Sequence, residues 1–430
     1  MKFFLLTFII FLKFNFASAN NLIFYIEAAI KNNPKLNAER ENLKATKENV
    51  NISIGEFFPT ISVSGDITST QSSKRTNQLG DRMVDTSSNK ETKTISVDQK
   101  IFKGFQNYNS LRKSELELKK GTFKLTRVKQ EVILSTASAY YDYIYKTKNK
   151  IFNSANLDLF ERQVESDSAR LQRGEITLTD LAQSESSLAG ANAKLIIAET
   201  ELLTSKTEFT RLTGFNVPES IENILPIKIN LPKSLKESLN TAEKNNPKLM
   251  IAKLNYEIAK RNVDIEKAKL SPSASINYTK SKNQDFSPSV DDTDQEVIKA
   301  TVKWPLLNGT KNFSSIKKSK FKKNQSSLLL NDAVNITKTE ITNAWSVYQS
   351  SQSVLKATKA QVKAAEIANE GISLEYDSGK TRTTLELIQS RTLLLDARIS
   401  NAIAERDFII SKYKLLDQIG RLSLKNIKKT

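Results

Sequence analysis

The chain has 430 residues, with 65 Lys and Arg against 47 Asp and Glu, a formal charge of +18, and neither Cys nor His. Those two absences exclude disulfides, thiolate nucleophiles, imidazole bases and nearly every zinc or copper centre. With 12 Gly, 9 Pro and a 39% apolar fraction, the chain suits long thin helices with narrow seams better than thick globular cores.

Taken in chain order, Met1 to Ala19 read as a secretory signal. Lys2 starts it, an apolar stretch follows, and Ala17-Ser18-Ala19 ends it in small residues, so cleavage is expected after Ala19. No other stretch reaches the ~18–20 unbroken apolar residues of a spanning helix, so a membrane crossing would have to be a β-barrel. A first helix is predicted over about 22–56 and is stopped by Pro59. Ile61-Ser62-Val63-Ser64 and Thr94-Ile95-Ser96-Val97 alternate apolar and polar, as strands with one apolar face do. The polar stretch 71–91 between them reads as an exposed loop. After Ile101-Phe102-Lys103-Gly104 the helical period returns for about 65 residues to Gly174 and resumes to Gly214. At 1.5 Å per residue that first run would span on the order of 100 Å.

The same order then repeats. Asn-Asn-Pro-Lys-Leu stands at 32–36 and again at 245–249, with Pro59 and Pro272 at the same distance beyond. Leu306-Leu307-Asn308-Gly309 answers the segment at 101–104, and Gly379 answers Gly174. Four landmarks in one order predict a duplication: a first repeat over 20–214, a linker over 215–232, a second repeat over 233–425 and a basic tail over 426–430. In the second repeat the helix is predicted over 234–269, the strands around 276–279 and 298–304, and the loop over 281–295.

Four strands cannot close a membrane barrel alone, and open edges are forbidden in lipid. Three copies of the chain would give twelve strands, so a homotrimer is expected, with helices as partners for one another's seams. The fold class predicted is therefore mainly α with a membrane β-barrel: an internally duplicated long-helix coiled-coil tunnel plus four strands per chain. Phe57, Phe58, Phe102, Phe105 and Trp304 cluster where strands meet helices; an interfacial aromatic belt and a plugged junction core both account for them. The basic run Lys317, Lys318, Lys320, Lys322 and Lys323 fits either anionic headgroups or a solvated helix face. Charge spread along helices, rather than clustered, argues against a nucleic-acid partner. Ser353-Val354-Leu355-Lys356 matches the S-x-x-K pattern of acyl-serine enzymes, but the pattern recurs at Ser110 and Ser315 and has no companion motif. No enzyme activity and no cofactor are expected. A periplasmic coiled-coil scaffold or adaptor is the alternative; it explains the helices but not the paired strands.

The signal segment, the duplicated plan, the Asn-Asn-Pro starts, G-E-I-T-L-T-D-L at 174–181 and Y-D-S-G-K-T-R-T-T-L-E-L at 376–387 together resemble the TolC-type outer-membrane efflux proteins. The resemblance covers essentially the whole mature chain. It implies a trimeric exit duct for efflux or type I secretion, placed in the outer membrane with its helical part in the periplasm. A periplasmic adaptor and an inner-membrane pump would open its closable end, and outer-membrane lipid would surround its barrel. By the same resemblance Thr179, Asp180, Tyr376 and Arg382 are the polar links of the periplasmic gate, and Glu386 and Gln389 occupy the pore constriction. Gln389 is neutral where the family often carries an acid, and Lys380 is one extra residue between Gly379 and Thr381.

Overall fold

The computed structural model describes residues 22–217, 229–287, 290–306, 308–378 and 382–428. The expected signal segment, most of the linker, Gly379, the extra Lys380 and the last residues of the tail lie outside them. The elements run α1 (Leu22–Asn32), α2 (Pro34–Gly55), β1 (Thr60–Ser72), β2 (Thr86–Lys103), α3 (Gln106–Gln172), α4 (Leu178–Thr213), α5 (Leu235–Asn245), α6 (Pro247–Ala268), β3 (Ser273–Gln284), β4 (Thr293–Lys303), α7 (Lys311–Asp377), α8 (Thr384–Gln418) and α9 (Leu424–Lys428). α3 and α7 are 67 residues each. None of the described helices is apolar enough over sufficient length to cross a membrane.

Two details differ from the sequence pattern. The first helix is broken into α1 and α2 at Asn33, and its counterpart is broken into α5 and α6 at Asn246. Pro34 and Pro247 lack the N–H that would continue the ladder, and each pushes the residue before it out of the helical region. At the first break the helix resumes at once, because Asn33 Oδ1 accepts from the Leu36 N–H at 3.1 Å as a cap. The strands are also longer, and the loops shorter, than the alternation alone suggests. β2 begins at Thr86, within the segment read as loop, because cross-strand pairing extends past the apolar residues: Ser72 still pairs with Thr86.

The chain forms two compact units, each drawing on both halves. One gathers the chain up to Ala38, Thr126–Pro247 and the chain from Ile336; the other holds Glu39–Leu125 and Lys248–Asn335.

The second unit carries one antiparallel sheet in the order β1-β2-β3-β4. Its register sorts polarity by face. Ile61 pairs with Val97 and Val63 with Ile95; Val97 then pairs with Tyr278 and Gln99 with Ile276. Next, Tyr278 pairs with Ile298, Ile276 with Ala300 and Ala274 with Val302. Since paired residues share a face and neighbours alternate, Ile61, Val97, Tyr278 and Ile298 form one continuous row across all four strands, while Glu91, Lys93, Lys280 and Glu296 stand on the same face nearer the loops. The other face carries Ser62, Ser96, Asp98, Asn277, Thr279 and Lys299. Apolar residues of the first face are bare: Ile67 is 80% exposed and Ile298 77%. Beneath the strands the chain turns sharply at Gly104 (φ 61), where a Cβ would stand 2.5 Å from the Ala268 carbonyl oxygen, so only glycine fits.

In the first unit the core is aromatic. Tyr25 of α1 meets Phe209 of α4 edge-on at 4.9 Å and lies 6.0 Å from Tyr140 of α3. The repeated Asn-Asn-Pro segments meet the glycines that end the coils. Asn32 stands against Gly214, and a Cβ on Gly420 would lie 2.2 Å from the Asn245 carbonyl oxygen. Asn246 Nδ2 donates to the Gln418 carbonyl at 2.7 Å, fixing that contact.

Candidate functional site

The four long helices of the first unit come together where α3 passes to α4 and α7 to α8. α3 stops at Gly174, which takes a left-handed φ of 74; its N–H donates to Leu171 O and that of Glu175 to Arg170 O, closing the helix end. Thr177 then caps α4: its Oγ1 accepts from the Asp180 N–H, and the Asp180 carboxylate accepts from the Thr177 N–H at 2.9 Å and Oγ1 at 2.7 Å. Thr383 and Glu386 repeat that capping box at the start of α8. Glu386 also accepts from Arg382 at 3.0 Å, and Arg382 reaches back to Glu375 at 2.6 Å. Hydrogen bonding to Thr177 holds the Asp180 carboxyl below its ordinary range, and bonding to Thr383 and Arg382 does the same for Glu386.

Behind these turns lies a buried polar cluster. Asp167 of α3, fully buried, accepts from Ser184 Oγ of α4 at 2.5 Å, from Tyr376 Oη of α7 at 2.9 Å and from Gln163 Nε2 at 2.9 Å. Tyr376 is 4% exposed; its hydroxyl also lies 3.2 Å from Thr384 Oγ1 of α8, and Arg170 sits 4.7 Å over its ring. Arg391 of α8 donates to Gln163 Oε1 at 3.1 Å. One carboxylate therefore gathers donors from α3, α4 and α7, and Tyr376 extends the network to α8. Three donors serve both oxygens of Asp167, two at Oδ1 and one at Oδ2, without an ion pair among the described residues. Burial raises the Tyr376 hydroxyl above its ordinary range, so it stays a donor. Burial also lowers the Arg391 guanidinium, against the pull of Asp377 and Asp167.

The residues expected from sequence divide accordingly. Thr179 and Gln389 are exposed and Glu386 half-buried at the start of its helix. Within the chain Asp180 and Arg382 are not joined: Asp180 serves Thr177, and Arg382 serves Glu375 and Glu386. Tyr376 points inward to Asp167. Asp167, Gln163, Ser184, Thr384 and Arg391 were not singled out by sequence reasoning, because a lone acid on a Ser- and Gln-rich helix carries no signal of its own. The capping boxes carry a local signal that the sequence analysis did not use: Thr-x-x-Asp at 177–180 and Thr-x-x-Glu at 383–386 each precede a helix. The aromatics expected at the strand–helix junction are there and exposed, Phe57 at 46%, Phe58 at 65%, Phe105 at 68% and Trp304 at 61%. Phe102 meets Phe105 edge-on at 5.4 Å, and the Trp304 Nε1–H donates to Leu270 O at 3.1 Å.

The chain thus combines a four-stranded sheet that has a bare apolar face and two open edges with duplicated long helices that carry a polar knot at their turns. Residues 25–215 and 238–421 match the family described as outer membrane efflux protein, and the chain belongs to that family. It is similar to the outer membrane efflux protein BepC of Brucella suis biovar 1, 26% identical over 396 residues covering 92% of this chain and 84% of that protein. It is 21% identical to the outer membrane protein TolC of Escherichia coli K12 over 420 residues, 95% of this chain and 83% of that one. In structure it is similar to the Campylobacter jejuni CmeC outer membrane channel, with a TM-score of 0.83 at 14% identity, covering 94% of this chain and 86% of that chain.

Proposed function

We propose that three copies of this outer-membrane efflux protein share their strands in one twelve-stranded barrel. Together they form the passive exit duct of a tripartite efflux or type I secretion system. The observation that carries this reading is the sheet: among the described residues β1 and β4 have unpaired outer edges and nothing covers the apolar face. Lipid tolerates the face but not the edges. Edge pairing between copies resolves both demands, leaving Ile and Val toward lipid and Ser, Thr, Asn and Lys toward a water-filled lumen. The girdle of Phe57, Phe58, Phe102, Phe105 and Trp304 then marks the periplasmic boundary.

The α3–α4 and α7–α8 turns form the closable end. The Asp167–Tyr376 knot holds the four helices of one protomer together, while Thr179, Asp180 and Arg382 lie toward the surface, where a neighbouring protomer can take them. Exposed charged links of this kind are weak enough for an adaptor to break. Glu386 lines the constriction with Gln389 beyond it, a single acidic ring that favours cations. An inner-membrane pump and its adaptor select the cargo, and the duct passes it. The matching lengths of α3 and α7, and the two capping boxes, support reading 20–214 and 233–425 as copies of one unit.

The test is the mass of the particle extracted from the outer-membrane fraction, by light scattering with detergent subtracted. About three times the mass of the mature chain is expected. A soluble monomer would overturn the duct and return the helices to a scaffold role.

A further inference from the structure

We propose that the lysine-rich start of α7 is a docking surface for anionic phospholipid headgroups of the leaflet next to it, an inference that rests on the membrane placement above. From Lys311 through Asn331 the helix carries Lys311, Lys317, Lys318, Lys320, Lys322 and Lys323 and no acid; the first is Asp332. Among the described residues, none of the five lysines from Lys317 to Lys323 has an ion-pair or hydrogen-bond partner. Glu266, which lines the groove between α6 and α7 with Lys318 and Lys322, is already paired with Lys269 at 2.7 Å. Among the described residues these five lysines therefore keep their charge unpaired.

The surface has the donors and the apolar floor that a lipid needs. Ser314, Lys317, Lys318, Phe321, Lys322 and Gln325 line a shallow groove of about 540 Å³. Lys318 and Lys322 also line a second groove, of about 370 Å³, between α6 and α7. Ammonium, hydroxyl and amide donors converge there as a phosphodiester requires. Phe321, 61% exposed, and Leu328, 70% exposed, lie on the same helical face and offer a seat for the first acyl carbons. A site for free phosphate would have no use for them. Depth agrees as well. Lys317 to Lys323 stand about 9–18 Å along α7 from its first residue, and Lys311 itself follows shortly after Trp304. Lysine stems reach back along the helix toward the boundary and keep their charges in the headgroup layer.

The test uses the full chain, purified and incorporated in nanodiscs of phosphatidylcholine with an equal share of phosphatidylglycerol. Lipid retained after detergent exchange is read by native mass spectrometry. Wild type is expected to retain phosphatidylglycerol over phosphatidylcholine by about tenfold or more. The variant K317Q/K318Q/K320Q/K322Q/K323Q is expected to lose that preference, while K356Q/K359Q/K363Q, farther along the same helix, keeps it. Equal retention of the two lipids by incorporated wild type overturns the proposal whatever the variants do, and so does equal loss in both lysine variants. Displacement of phosphatidylglycerol by inorganic phosphate, but not by chloride at the same ionic strength, would mark a phosphate-ion site and overturn it too. Failure of the chain to enter the bilayer at all would instead overturn the membrane reading on which it rests.

Discussion

The sheet and the helix turns solve opposite problems with opposite polarity. In the sheet, Ile61, Val63, Ile298 and Val302 stand bare on the outside, between 68% and 77% exposed, and polar residues occupy the other face. At the helix turns the arrangement is reversed: Asp167 is fully buried, and the charged Arg382, Glu375 and Glu386 stay near the surface. The difference follows from the solvent each region meets. A face turned to lipid needs no burial within the chain. A junction of four helices in water must bury something, and a satisfied polar network there fixes one arrangement at the cost of some stability.

The largest expected effect breaks the sheet's side of this contrast. Ile298→Lys puts a charge on the lipid face and should cost roughly 2–4 kcal/mol near the membrane midplane. Thr279→Lys, on the other face, should be close to neutral. Both are measured as the fraction assembled in bilayers, and equal behaviour would mean that the faces are misassigned. On the helical side, Asp167→Ala leaves the Ser184 hydroxyl without a partner and should cost about 1–3 kcal/mol in guanidinium unfolding. Tyr376→Phe removes one donor and leaves Asp167 two, so its loss should be smaller; the reverse order would place the weight of the knot elsewhere.

The smallest effects lie at the outer rim of the turns. Replacing Asp180 with Asn and Arg382 with Gln should raise resting conductance in planar bilayers, and unchanged conductance would remove both from the gate. Acid should act in the same direction. Asp180 and Glu386 carboxyls are held below their ordinary values by hydrogen bonds. Their contribution is thus complete above the usual carboxylate range and is lost as pH falls through the lowered values. Conductance should rise only at that acid end, and less so in the double variant.

Much of the fold was readable in advance, for a local reason. Repeated Asn-Asn-Pro segments, the glycines and the alternating stretches are short-range signals, and they placed the long helices to within a few residues. The Pro breaks at 34 and 247 were equally local, but the helical period on either side masked them. The candidate gate residues were reached through the resemblance, since Thr179 or Arg382 alone looks like any surface residue.

By itself the sequence determined the duplication, the helix lengths, the apolar face of the strands and the lack of Cys and His. Periodicity, chain-breaking residues and composition are properties of the chain before it folds. Only the tertiary structure decided that Asp167 meets Tyr376, 209 residues away, that Gly420 seats Asn245, and that Lys317 to Lys323 pair with no acid among the described residues. Those outcomes depend on which helix packs against which. A residue's burial and its partners are fixed only when distant segments close around it.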